Sequence, residues 1–368
     1  MPMRSAKPRC ATVRLALAAC LLLEPLSAKI AAAQTTDTVP GAEWPSAMPA
    51  ETGWSPDGIA AVNAYAQSAG TASLAIVQHG RIVDSFGDIS RRIELHSMRK
   101  SLLSALIGIA VSEGRIRLDA TLAELGIDDV PPSLSDVEKQ ATVRQLLQAR
   151  SGVYHLALYE TAGMAERRPE RGSHAPGTFW YYNNWDFNTL GTIYEHAVGT
   201  SIFNAFLDKI ARPIGMQDYR VTDGRYVTGP ESMHPAYPFH MSARDLARFG
   251  LLYLHHGRWG APQVVPTAWV TESTTGWSTT QLGSGYGYLW WTGFPDRRVA
   301  IIDLPPGGFW ADGAEGQFVV VDPADDLIVV HQTDGHRVVN RQKGHLMWLI
   351  LNAAHSRDPG QDPDPGGN

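Results

Sequence analysis

Between about residues 118 and 240 the chain almost loses its β signal, while β-rich runs stand on both sides of that stretch. A sheet must then be assembled from the two ends of the chain, with the middle set aside as a helical insert. Upstream, "SPDGIAAVNAYAQSAG" has apolar residues at helical spacing behind Ser55 as N-cap, predicting a helix that ends near Gly70. "TASLAIVQHGRIVDSFGDI" gives two short β-rich runs about His79 and Gly80, the pattern of a hairpin. Inside the insert, "TVRQLLQAR" and "DFNTLGTIYEHAVG" read as helices between loops rich in Gly, Pro and His. Downstream, "SARDLARFGLLYLHHG" predicts an amphipathic helix capped by Ser242 and stopped at Gly257. "YGYLWWTG", "GQFVVVD" and "LIVVHQTD" read as strands, "GSGYGY" as the approach to the first of them, and "NRQKGHLMWLILNAA" as a closing helix. This order predicts an α/β (α+β) domain over residues 54–355, a mixed sheet with helices packed on it and a mostly helical lobe beside it.

The ends of the chain read differently. Arg4, Lys7, Arg9 and Arg14 precede "LALAACLLLEPLSA" and "AAAQ", the basic, apolar and small-residue regions of an export signal, so residues 1–33 are expected to be removed before Gln34. The run ending at Cys20 also fits a lipid-anchor site, but the greasy Leu21 to Leu23 behind it argue against a lipidated terminus. Residues 34–53 read as a leader segment and 356–368 as a disordered tail. Both cysteines, Cys10 and Cys20, lie in the signal, which leaves the mature chain without a thiol nucleophile. Signal removal takes away five basic groups and Glu24, moving the formal charge from −6 to −10, 26 basic against 36 acidic residues. Nucleic acid is a poor partner for such a chain. No later apolar run reaches the roughly 20 residues of a membrane span, so a soluble periplasmic or secreted protein is expected.

Chemistry concentrates in two places. In "HSMRKSLLSALIG", Ser97 stands three places before Lys100, and residues three apart share a helix face. A lysine beside a hydroxyl can take its proton once burial and the positive end of the helix disfavour the ammonium, which an arginine could not do. Of the six lysines, Lys100 alone has a serine three places earlier. Against this stands the ordinary reading of a helix with a snorkelling lysine. The second place is "PGTFWYYNNWDFNTLG", where Tyr181 and Tyr182 precede Asn183 and Asn184 by two residues; none of the other ten tyrosines is so placed. A phenol can pass a proton to a leaving group, and an asparagine amide can hold both the lysine and a substrate carbonyl. Part of this cluster also reads as aromatic packing of a loop.

With these motifs on the page the chain resembles the serine β-lactamase and penicillin-binding-protein superfamily, notably class C β-lactamases, DD-peptidases, β-lactamase-like esterases and 6-aminohexanoate-dimer hydrolase. The resemblance covers most of residues 55–355 and implies an antiparallel sheet. It implies Ser97 as nucleophile, Lys100 as base and a proton-relaying tyrosine. In such proteins that tyrosine stands six places after the Pro of a PG pair and nine before a Gly. Counting from Pro176 and back from Gly191 both give Tyr182, with Asn184 as its partner and Tyr181 as the fallback. The third family motif falls on "FWADGAEGQFVVVDP", with Ala311, Asp312 and Gly313 in its three places and Ala314 supplying an oxyanion-hole N–H beside that of Ser97. Members that recognise penicillin carry Lys or His where this chain has Ala311, and Asp312 follows. A neutral ester or amide, or a substrate with a free amine, is therefore expected over a β-lactam or a cell-wall carboxylate. The alternatives are a DD-peptidase or β-lactamase, and a non-catalytic binding or sensor module that keeps the fold.

Other machinery is missing from the sequence. There is no GxSxG elbow and no HExxH, and "GSGYGY" lacks the Lys of a P-loop, so no cofactor or metal is expected. His255 and His256 sit at a helix end, where a cationic side chain is favoured anyway. His331, His336 and His345 carry no assigned role. Tyr154, Tyr159, Trp180, Trp290, Trp291, Phe309 and Trp310 are candidates to line a cleft, although strand tryptophans are more often core.

Overall fold

The computed structural model describes residues 39–294, 299, 302 and 304–355. The expected signal, Cys10, Cys20, the start of the leader and the tail lie outside the described residues. Helix α1 (Pro56–Ser68) is capped by Ser55, whose Oγ accepts from the Gly58 N–H at 3.1 Å. It leads into β1 (Thr71–Gln78) and β2 (Arg81–Gly87). The two-residue loop between them has φ 50° at His79 and 68° at Gly80. Positive φ at both positions matches the right-handed twist of a hairpin. After β3 (Ile93–Glu94) comes α2 (Arg99–Ser112), and the insert then supplies α3 (Val143–Leu147), α4 (Ala162–Arg167), α5 (Asn184–Val198) and α6 (Ile202–Phe206). The insert also holds a short hairpin, β4 (Val227–Gly229) with β5 (Ser232–Ala236), too weak in β-branched residues to be read from sequence. Strand β6 (His240–Met241) returns to pair with β3 and so ties both ends of the α2-plus-insert segment together.

The rest of the sheet follows α7 (Ala243–Leu254) and α8 (Thr267–Ser273): β7 (Ser278–Thr279), β8 (Gly285–Tyr286), β9 (Trp291–Thr292), β10 (Phe309–Asp312), β11 (Phe318–Asp322) and β12 (Leu327–Thr333), before α9 (Asn340–His355). The strand order is β2-β1-β12-β11-β10-β9-β8-β7, with every strand pair antiparallel. This corrects the expectation of a mixed sheet. "YGYLWWTG" is not one strand either. The Gly287 N–H bonds to the Trp290 carbonyl at 2.8 Å and Leu289 has φ 64°, so the chain reverses between β8 and β9. The reversal drops Tyr288 and Trp290 into the core.

Both faces of the central strands are covered, which explains their unbroken apolar runs. Val319, Val321, Ile328 and Val330 face one core with α2, α5 and α7, while Phe318, Val320, Leu327 and Val329 face another with α1 and α9. Helix α2 is buried nearly all round, from Arg99 to Ala110. Its two interior hydroxyls are matched to backbone, Ser101 Oγ to the Leu289 carbonyl (2.8 Å) and Ser104 Oγ to that of Tyr288 (2.7 Å). The misread turn is thus what seats the helix. The described part of the leader is pinned as well: Ala47 N–H bonds to Ile82 (2.9 Å), and Arg248 donates to the carbonyls of Pro40, Gly41 and Ala42. No helix among the described residues is long and apolar enough to cross a membrane.

Candidate active site

Ser97 lies in a short turn, residues 96–98, that runs straight into α2. The Lys100 Nζ donates to Ser97 Oγ over 2.7 Å. Lys100 is 1% exposed, and its Nζ sits 4.9 Å from the Tyr182 ring centre and 5.0 Å from that of Phe187. Burial, then the neighbouring Arg99 charge, hold its ammonium well below the ordinary lysine range, with Asp312 pulling back only weakly. An amine three residues from a hydroxyl and short of protons has the chemistry to take that hydroxyl's proton.

Tyr182 closes the group. Burial raises its phenol above the usual value, while neighbouring Ser97 and the charge of Arg99 favour the phenolate. Its loop is fixed by Asn183, which caps α5 by accepting from the Trp185 N–H (3.1 Å) and donates to the Val153 carbonyl (2.7 Å). Tyr181 takes a different part: its hydroxyl donates to the Met164 carbonyl at 2.7 Å. Asn184 is not brought to the cleft. Its amide nitrogen donates to the Tyr159 carbonyl at 2.6 Å, because α5 turns that face toward the loop before α4, and its buried Oδ1 has no hydrogen-bond partner.

The third motif closes on the same place. A Cβ at Gly313 would stand 2.6 Å from the Leu95 carbonyl oxygen, so β10 reaches the segment just before Ser97 only because residue 313 is glycine. Ala314 follows at the cleft surface. The turn is braced by Glu315 (φ 66°), whose carboxylate lies 3.4 Å from His96 Nε2 and whose carbonyl accepts from Thr333 Oγ1 (2.8 Å). Ala311 points elsewhere, into the core with Phe309, as strand alternation demands. Asp312 is at the cleft, but Lys343 of α9, 4% exposed, holds it at 2.5 Å. Its charge is balanced, so the sequence argument that an acid here repels carboxylates loses its footing; the missing cation at Ala311 remains.

Together these groups border a cleft of about 650 Å³ with Ser97, Tyr181, Tyr182, Asp312, Gly313 and Ala314 on its wall. Of the candidate aromatics only Trp180 and Trp291 line it. Trp291 stacks on Tyr182 at 5.4 Å, Trp290 and Phe309 pack against Tyr253, Trp310 lies against Trp291, Tyr154 meets Tyr181 edge-on, and Tyr159 covers Arg99. The histidines left unassigned pack locally: His331 bonds Thr71 and Gly316, His345 meets Tyr65 edge-on at 4.6 Å, and the His336 ring abuts Gly70. Sequence reasoning missed His96, Arg99, Glu315 and Lys343. Only Arg99 carried a local signal, as a charge inside an apolar helix.

The Beta-lactamase family model matches residues 57–350. The chain belongs to the Beta-lactamase family. Among solved structures, a putative 6-aminohexanoate-dimer hydrolase from Bacillus anthracis superposes with a TM-score of 0.64 at 20% identity, covering 87% of this chain and 89% of that one. A penicillin-binding-protein homologue from Caulobacter crescentus gives 0.61 at 16% identity over 82% and 99%. EstCE1, described as a hydrolase with promiscuous acyltransferase activity, gives 0.57 at 16% over 81% and 98%. At these identities the likenesses carry the fold, an antiparallel sheet with helices of the β-lactamase and transpeptidase type. The Beta-lactamase fold is that of a family of serine hydrolases, and the three motifs lie within the matched span.

Proposed function

We propose that this protein is a serine hydrolase that cleaves a small ester or amide through an acyl-enzyme on Ser97. The observation that carries the reading is the 2.7 Å contact between Ser97 Oγ and a buried lysine amine. In this reaction Ser97 Oγ attacks the carbonyl carbon as Lys100 takes its proton. The tetrahedral oxyanion is held by the N–H groups of Ser97 and Ala314, each worth about 3 kcal/mol. Tyr182 gives its proton to the leaving oxygen or nitrogen and recovers one from the Lys100 ammonium; the C–O or C–N bond breaks and the alcohol or amine departs. Water then attacks the acyl carbon, the acid leaves and Ser97 regains its proton. Support for Tyr182 over Tyr181 is its ring 4.9 Å from the Lys100 amine on the same cleft wall as Ser97, whereas the Tyr181 hydroxyl is spent on Met164. Export with a mature start at Gln34 belongs to the same proposal, checked by terminal sequencing of the processed protein.

The test is turnover of a short-chain p-nitrophenyl ester, a linear aminohexanoate dimer and a chromogenic cephalosporin by wild type, Ser97→Ala and Lys100→Arg. Ester or amide turnover lost by 10³-fold or more in both variants is expected, because arginine keeps the charge and loses the base. Preferential cephalosporin turnover would move the substrate to β-lactams. Full activity in Lys100→Arg would overturn the mechanism, and no acylation of Ser97 by any substrate would leave a binding module.

A further inference from the structure

The mechanism leaves one buried charge unused. Arg99, one residue before Lys100, is 0% exposed. Its guanidinium lies 5.0 Å from the ring centres of both Tyr159 and Tyr237. One N–H donates to the His96 carbonyl at 3.2 Å, while Nε and the other terminal nitrogen have no hydrogen-bond partner. No carboxylate among the described residues lies within ion-pair distance of it. Glu94, the acid facing it from β3, is taken up by Arg225 (3.6 Å), His240 (3.7 Å) and the Tyr159 hydroxyl. A guanidinium cannot discharge itself, so this cation stays charged in the interior with two aromatic faces in place of a counter-ion. Such a breach of the usual rule of pairing is expected where a charge acts on a site.

What it acts on is beside it. The charged or titratable groups facing Lys100 are Arg99 on its own helix, Tyr182 from the insert and Asp312 from β10. The acid among them is bound to Lys343, so little offsets the arginine. We propose that Arg99 is a positioning residue for the reaction: its fixed, unpaired charge, clamped between Tyr159 and Tyr237, joins burial in holding the adjacent Lys100 amine ready to take the Ser97 proton. The same charge favours the phenolate of Tyr182 and so eases its role as donor to the leaving group. The inference rests on the proposed function for its catalytic meaning, but its physical content is the proton occupancy of one lysine.

That occupancy is read directly. The full-length chain has six lysines, so a protein labelled with ¹³C at lysine Cε gives few signals, and Lys100→Met assigns the one of interest. In Arg99→Met the Lys100 signal is expected to titrate at higher pH than in wild type. Arg99→Gln, which keeps an N–H donor for the His96 carbonyl and removes the charge, should move the midpoint in the same direction and serves if Arg99→Met does not fold. Acylation by p-nitrophenyl acetate at pH 7 should be slower in Arg99→Met and recover toward the wild-type rate in alkali, as extra protonation of the base requires. An unmoved Lys100 midpoint in both Arg99→Met and Arg99→Gln, or an equal loss of rate at every pH, overturns the inference. A displaced midpoint in a protein that acylates no ester sinks the proposed function and leaves the role of Arg99 standing.

Discussion

Tyr181 and Tyr182 are adjacent in sequence and separate in chemistry. One phenol is committed to the Met164 carbonyl and the other lies on the cleft wall with Ser97, its ring 4.9 Å from the lysine amine. Tyr182→Phe is therefore expected to lower kcat by 10²–10⁴, the range of a lost proton-transfer group. Tyr181→Phe should keep kcat within a few-fold and lose about 1 kcal/mol of stability with its buried hydrogen bond. Steady-state kinetics and urea unfolding on the pair read both, and equal kinetic losses would show the assignment to be wrong. At this scale the contact of Lys100 with Ser97, the proposed base and nucleophile, was legible because it is local, three residues apart in one turn. The use of Asn184 was not, since its partner Tyr159 lies 25 residues away and only the folded loop brings them together.

At the scale of elements, β10 matters less for its hydrogen bonds than for where it stops. Gly313→Ala would press a methyl against the Leu95 carbonyl and the Gln317 side chain, forcing the strand end away from the Ser97 turn. Overpacking of this kind costs about 1–3 kcal/mol. The displaced Ala314 N–H should cost a further 10²–10³ in kcat if it is an oxyanion donor. A variant that loses stability with kcat unchanged would remove Ala314 from the oxyanion hole. Element types were mostly readable, the hairpin at His79 and Gly80 and the caps at Ser55 and Ser242 most clearly, since each depends on residues within one turn. "YGYLWWTG" failed because an aromatic run on a buried strand and an aromatic run folded into a core turn look alike until Gly287 and Leu289 are seen to reverse the chain.

For the molecule as a whole, acid should be an enemy through the sheet itself. His331 on β12 is fully buried, bonded to Thr71 (2.9 Å) and the Gly316 carbonyl (2.8 Å), and burial lowers it to about 4. A histidine depressed by folding binds fewer protons in the native state than in the unfolded one, so its stabilisation is present above about pH 6.5 and is lost as pH falls toward 4. The size is about 3 kcal/mol. Asp322, raised to about 6 by burial, acts in the opposite sense over the lower part of that window, so the comparison must be with a variant. Urea unfolding of wild type and His331→Gln should show their stability difference shrinking by about 3 kcal/mol between pH 7 and pH 4; a constant difference would exclude the effect. The architecture of sheet, insert and closing helix was visible in the alternation of signals along the chain. The braces of the site, Lys343 on Asp312 and Glu315 by His96, span 31 and 219 positions and leave no local mark.

The stacking of Trp291 on the ring of Tyr182, with Trp180 on the same wall, gives the protein a light source beside Ser97. Any group that occupies Ser97 must alter the surroundings of those two indoles, so the acylation proposed for it should be visible as a change in ultraviolet emission, in real time, with no dye attached.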